Sequence, residues 1–212
     1  MKIRNIRIAA LVLCLTYAST QCAITATAAE TIKIGSVLSL TGPAGYLGEP
    51  SRNVLEHYVN DLNAHGGVLG RKLELVIYDD GAQAEKSVTM TKRLIESDQV
   101  DVLIGGNTTG VTMAAIPIVE RSGIPFVSLA GGITIVEPVK KWVFKPSFTD
   151  RMAAEKIFND MKKRGITKVA LLSEDAGFGK SGREQSLNIA ASHGIDIVAS
   201  RFRPRAQHPA ML

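Results

Sequence analysis

Cysteine is scarce in this chain. The 212 residues contain two, Cys14 and Cys22, and both lie in the first 28 positions. Removal of that leading segment leaves no thiol, which excludes a disulfide framework and a cysteine metal site. Histidine is also sparse: His57, His65, His193 and His208 are scattered, with no second ligand at metal-binding spacing. Aromatic residues make up 5% of the sequence, too few for a base-stacking platform. No apolar run is long enough to form a stable bilayer span, since Ile8 to Leu15 covers less than half the length a spanning helix needs.

That run has a different meaning. Lys2, Arg4 and Arg7 precede it, and small residues follow up to Ala26-Thr27-Ala28, the order of a secretory signal. We expect residues 1–28 to be cleaved before Ala29, and the mature protein to be exported without a lipid anchor, because Leu13 and Gln21 precede the two cysteines. The formal charge of +5 falls with the segment, whose three basic residues have no acidic counterpart. What remains is 22 basic against 20 acidic residues, a net of +2. Arg201, Arg203 and Arg205 near the end outweigh that excess, so no basic face for nucleic acid is expected.

Beyond the signal the chain is organised around Val100 to Gly132. Val102 to Ile104 is a short apolar run ended by Gly105-Gly106, the pattern of a strand buried on both faces. Val111, Ala114, Ala115, Ile118 and Val119 then recur at helical spacing, which puts Thr108 and Thr109 at or beside an N-cap. Such an end presents unpaired N–H groups and a positive dipole, and with a hydroxyl beside it can hold a carboxylate. Gly123 stops the helix, Ile124 to Val127 reads as the next strand, and Ser128 to Gly132 as its turn. In an open parallel sheet both turns fall at the carboxyl edge, where ligands bind.

Strands and helices alternate on either side. Thr31–Leu38 reads as a strand, Pro50–Ala64 as a helix, Leu73–Tyr78 as a strand and Ala84–Ser97 as a helix. Val143–Lys145 reads as a short strand in a crossing segment. The pattern restarts after Pro146 with helix Asp150–Arg164, strand Lys168–Ser173, helix Gly179–His193 and strand Asp196–Ser200. The expected class is therefore α/β, with two Rossmann-like lobes of parallel sheet flanked by helices: a first lobe over 29–146 and an incomplete second over 147–200. A parallel sheet of two strands exposes too much apolar surface to stand alone. Residues 201–212, RFRPRAQHPAML, carry no apolar period and are expected to form an irregular tail. We expect the chain to be a truncated or frame-shifted product of a longer one.

No residue pattern points to catalysis. Asp79 and Asp80 could form an acid pair but read as a strand-end turn. Ser173, Ser181 and Ser186 lack the glycine elbow of a hydrolase nucleophile. GGNTTG lacks the lysine of a phosphate loop. Trp142 and Phe144 read as core rather than ligand wall. Hydroxyls and backbone groups in a cleft are what binding without chemistry requires, and we expect no enzyme activity, cofactor or metal.

From Thr31 onward the sequence resembles the periplasmic solute-binding proteins of the leucine/isoleucine/valine-binding family, the receptors of ABC importers. The resemblance is carried by IKIGSVLSLTGPAGYLG, NAHGGVLGRKLELVIYDDGAQAEKSV, LIGGNTTGVTMAAIPIVERSGIPFVSLAG and, in the second lobe, KVALLSEDAGFGKSGREQ. It implies the type I periplasmic binding fold, a periplasmic location, a small carboxylate ligand captured between two closing lobes, and ABC permease subunits as partners. The membrane would be met only through the permease, and nucleic acid not at all. By this resemblance the ligand carboxylate meets Thr109, with Thr108 beside it, and the carbonyl of Ala130 meets an ammonium, with Ser128 in the same turn. Gly132 stands where the family has a hydroxyl residue, Leu47 with Tyr46 forms a wall, and Phe178 leads the second-lobe contacts. The acidic residue that fixes an α-amino group would lie beyond Leu212. A branched-chain or related amino acid is therefore the expected ligand and an aromatic or other small carboxylic acid the alternative, with weak capture by this length of chain. A sensory ligand-binding module is the competing role.

Overall fold

A computed structural model describes residues 31–203, all within one compact unit. The expected signal segment, both cysteines and residues 204–212 of the expected tail lie outside the described residues. Five parallel strands form the first sheet, in the order β2-β1-β3-β4-β5: β1 (Ile32–Leu38), β2 (Leu73–Asp79), β3 (Val102–Gly105), β4 (Phe126–Ser128) and β5 (Val143–Phe144). The connecting helices are α1 (Gly45–Ala64), α2 (Ala84–Glu96) and α3 (Thr109–Ser122). The strand order reverses between β1 and β3, and the loops leaving their carboxyl ends diverge there, opening a crevice.

Both faces of this sheet are covered. On one, Leu94 of α2 and Ala115, Ile116 and Val119 of α3 pack with Val37, Leu103 and Phe126. On the other, Val59 of α1 packs with Ile34 and Leu73. This double cover explains why the strands read as continuous apolar runs rather than alternating ones. Trp142 packs against the first cluster, as a core reading requires, whereas Phe144 is half exposed and belongs to neither core nor cleft.

The second lobe consists of α4 (Asp150–Lys163), β6 (Lys168–Glu174), α5 (Gly177–Ala190), a short 3-10 turn at Ala191–His193, and β7 (Asp196–Arg203), with β6 and β7 paired in parallel. Phe158 of α4, Ala190 of α5 and Ile195 make its small core with Val169 and Ile197. Burial along β6 alternates, and Leu172 and Val198 are well exposed. Fewer buried contacts mean earlier local opening.

Three readings of the sequence need correction. Arg201–Arg203 are not part of an irregular tail, because they extend β7 and pair with Leu172, Ser173 and Glu174 of β6, and the Arg183 guanidinium lies 5.1 Å from the centre of the Phe202 ring. These residues are exposed, so no apolar period marks them. Val143–Phe144 does not simply cross between lobes: it adds a fifth strand beside β4. Helix α1 begins at Gly45, one turn before Pro50, which sits inside it. Proline there removes one backbone bond without ending the helix, since the long element on either side compensates.

Candidate functional site

The loops at the carboxyl edge of the first sheet face the first turn of α5 across a cleft of about 480 Å³. Its first-lobe wall comes from Tyr46 and Leu47 at the start of α1, Ala82 and Ala84 before and in α2, the Asn107–Val111 stretch, and Leu129 and Gly131 after β4. Ser147 and Phe148 of the connecting segment and Glu174, Ala176, Gly177 and Phe178 close the other side. Of the eight residues expected from the sequence, five line this space: Tyr46, Leu47, Thr108, Thr109 and Phe178.

Thr108 is the N-cap of α3, its extended backbone letting the hydroxyl accept from the Val111 N–H at 3.4 Å. Thr108→Ala is expected to lower stability by about 1 kcal/mol, the usual loss of a threonine cap, measurable as a shift of the denaturant midpoint with unchanged slope. Thr109 is the first helical residue and is buried. Its hydroxyl oxygen accepts from the Gly132 N–H at 3.1 Å, and a threonine hydroxyl also has one hydrogen to donate. No side chain caps α5, and residues of the first turns of α3 and α5 line the same cleft.

Ala130, Ser128 and Gly132 stand behind this wall rather than on it. The Ala130 carbonyl accepts from the Ser147 hydroxyl at 3.3 Å, and the residue is 1% exposed. Ser128 is fully buried, its hydroxyl 3.2 Å from that of Thr112 and accepting from the Ala130 N–H. Gly132 contributes its N–H to Thr109, and a Cβ there would lie 2.6 Å from the Thr109 methyl and 2.8 Å from its hydroxyl oxygen. A side chain at position 132 would require the Thr109 side chain to shift. All three residues position the turn.

Asn107 directly precedes the Thr108 N-cap. It stands at the reversal of strand order: its carbonyl oxygen accepts from the Ser39 N–H at 3.0 Å, and its amide donates to the Ser51 hydroxyl at 3.0 Å and, more weakly, the Leu47 carbonyl at 3.4 Å. One side chain thus ties the β1 and β3 loops to the start of α1. The signal available in the sequence was its place directly after a glycine pair at a strand end.

Asp79 and Asp80 hold the neighbouring turn. Burial pushes the Asp79 carboxyl up, but the Thr41 hydroxyl and the N–H groups of Gly81, Thr41 and Leu40 outweigh it and hold it below its ordinary value. Asp80 is fully buried, and burial raises it despite the Ser39 hydroxyl and the Ala82 N–H. Among the described residues no group of histidine, cysteine, aspartate or glutamate could hold a metal ion.

The lobes are joined in several places. Ile133 N–H donates to the Asp150 carboxylate at 3.0 Å and Asp150 N–H to the Gly131 carbonyl at 3.1 Å. Arg151 reaches Glu137 through two bonds and Gln185 of α5 through a third. Burial holds the Lys145 ammonium below its ordinary value against the opposing charge of Asp150, and it donates to the Ser147 carbonyl and hydroxyl and to the Phe148 carbonyl. At the cleft itself the helix ends touch. A Cβ on Gly177 would lie 2.8 Å from the Gly110 nitrogen, and one on Gly131 would lie 2.7 Å from the Phe178 ring.

Residues 31–209 match the family described as periplasmic binding protein. The chain belongs to that family. It is 28% identical over 189 residues to Leu/Ile/Val-binding protein homolog 7 of Brucella abortus (strain 2308), covering 84% of this chain and 47% of the relative. It is also similar to the solute binding protein of an ABC transporter from Rhodopseudomonas palustris BisB5, solved in complex with 3,4-dihydroxybenzoic acid: 28% identity, TM-score 0.74, covering 82% of this chain and 47% of the other. The substrate binding protein LivJ from Streptococcus pneumoniae, solved with isoleucine, shares the fold at 24% identity and TM-score 0.74, with 85% and 52% covered. The chain thus spans about half the length of these periplasmic binding proteins, and its two lobes of parallel sheet flanked by helices are the family's fold. Among the described residues no helix is long and apolar enough to cross a membrane.

Proposed function

We propose that this periplasmic binding protein is the extracytoplasmic receptor of an ABC importer, exported through a cleaved signal and capturing a small carboxylate between a first lobe, 29–146, and a second that begins at 147. The observation that carries the reading is the convergence at one cleft of Thr109 with the first turns of α3 and α5. Together they offer hydrogen-bond donors and two positive dipole ends to an anion. Around them the lining is mostly aliphatic and aromatic, which suits a ligand with one polar end. A branched-chain or related amino acid fits this description, and the permease subunits of the importer would be the protein partners.

A second reading shares the same role. Tyr46, Phe148 and Phe178 place three aromatic rings in the lining, a favourable surface for an aromatic acid, and the Rhodopseudomonas relative was solved with one. Calorimetric titration of the full chain with leucine, isoleucine, valine and 4-hydroxybenzoate, carried to millimolar ligand, tests both. Binding of at least one of these carboxylates is expected. Heat changes no larger than dilution for all four would remove the receptor reading, and consumption of a bound ligand would replace it with an enzyme.

A further inference from the structure

Resting on the carboxylate reading above, we propose that Asn107 is a positioning residue that sets the size of ligand the cleft accepts, by fixing the Tyr46–Leu47 wall relative to the helix end that takes the carboxylate. Asn107 is buried and lines the cleft, yet its amide is engaged by the protein itself. Its carbonyl oxygen accepts from the Ser39 N–H at 3.0 Å, and its NH2 group donates to the Ser51 hydroxyl at 3.0 Å and to the Leu47 carbonyl at 3.4 Å. Both of its N–H bonds are thus directed at α1 rather than at a ligand. The resemblance assigns this position no role.

The wall needs such a tie because its own helix holds it weakly. Tyr46 and Leu47 lie in the first turn of α1, which no side chain caps, and Pro50 has no N–H to give the Tyr46 carbonyl its helical bond. The turn is placed from outside. A Cβ on Gly48 would lie 2.1 Å from the Ser39 carbonyl oxygen and one on Gly45 3.0 Å from that of Leu40, so this turn rests directly on the backbone that follows β1. Hydrogen bonds then fix it there. The Ser51 hydroxyl donates to the Leu47 carbonyl at 2.7 Å while accepting from Asn107, and the Ser39 hydroxyl donates to the Asp80 carboxylate at 2.7 Å. One run of bonds therefore passes through residues that follow β2, β1 and β3 and ends on the wall. Asn107 also directly precedes Thr108, the cap of α3, and Thr109 is next. The same residue thus borders the proposed carboxylate end and holds the wall that a ligand's apolar end would meet. A buried network of hydrogen bonds favours a single arrangement, which is the condition for discriminating ligands by shape.

The test titrates the full chain and its variants with two series of graded size, alanine, valine and leucine in one and benzoate and 4-ethylbenzoate in the other. The parent is expected to discriminate by size within the series it binds. Ser51 is not among the described residues that line the cleft, so a change of selectivity in Ser51→Ala has to pass through the tie. That variant should narrow the ratio of affinities between the largest and smallest ligand by roughly two- to tenfold, the range for one neutral hydrogen bond. Ser51→Thr, which keeps the hydroxyl, should keep the parent's ratio. Asn107→Ala should narrow it further and lower the melting temperature, because the Ser39 N–H loses its partner. Asn63→Ala is the control for damage to the same helix: it removes the pair of bonds to Leu73 at the far end of α1, and should lower the melting temperature without changing the ratio. An unchanged ratio in Ser51→Ala, or one narrowed equally in Asn63→Ala, would show that the network only supports the fold and would overturn the inference while the receptor reading stands. A parent that binds a series without regard to size would overturn it too. If the parent binds neither series, the receptor reading fails and the inference falls with it.

Discussion

Thr109→Ala is expected to weaken carboxylate binding by about 1.5–3 kcal/mol, or roughly ten- to 150-fold, the range for hydrogen bonds to charged groups. The residue has two jobs that the substitution removes together. Its oxygen accepts from the buried Gly132 N–H, and in the proposed reading its O–H meets the ligand. Stability should fall as well, because a buried N–H is left without its partner. Thr109→Ser separates the effects from simple damage: it keeps both hydrogen bonds and loses one methyl, so it should restore most of the affinity. The measurement is a pair of titrations beside a pair of melting curves. Parent-like affinity in the alanine variant would show that the carboxylate does not sit on α3.

Gly177→Val is expected to hold the two walls apart. Gly177 lies in the first turn of α5 with no left-handed backbone to preserve, so the cost comes from contact alone. Even a Cβ would sit 2.8 Å from the Gly110 nitrogen and 3.1 Å from its Cα, and valine adds two more carbons. Backbone at a helix end has no rotamer to escape into. Overpacking of this kind costs about 1–3 kcal/mol. Paid in the closed state alone, that lowers apparent affinity by roughly five- to 150-fold, because ligand must then close the lobes against it. Small-angle scattering at saturating ligand should report a larger radius for the variant than for the parent. Equal radii and equal affinities would mean that this contact is not part of closure.

Much of the first lobe was legible because its elements are local. The apolar run at Val102–Ile104, the helical period from Val111 to Val119 and the stop at Gly123 depend on residues near one another, and position alone put Thr108 and Thr109 at or beside the N-cap. The second lobe was legible for the same reason, except at its end. The pairing of Arg201–Arg203 with β6 depends on a backbone ladder between distant segments, and an exposed strand needs no apolar alternation.

The sequence by itself determined the order of strands and helices, the class of sheet and the placing of Thr108 and Thr109 at a helix start, since period, punctuation and capping act within a few residues of each other. Only the tertiary structure decided which residues face the cleft. Ser128, Ala130 and Gly132 lie in a turn that the chain position assigns to the site, yet contacts with Thr112, Ser147 and Thr109 turn them into its support. Asn107, Ser147, Phe148 and Glu174 reach the cleft because loops from separate strands and two lobes converge there. Side-chain direction at a strand end depends on what packs behind it, and those partners come from parts of the chain that sequence spacing does not relate.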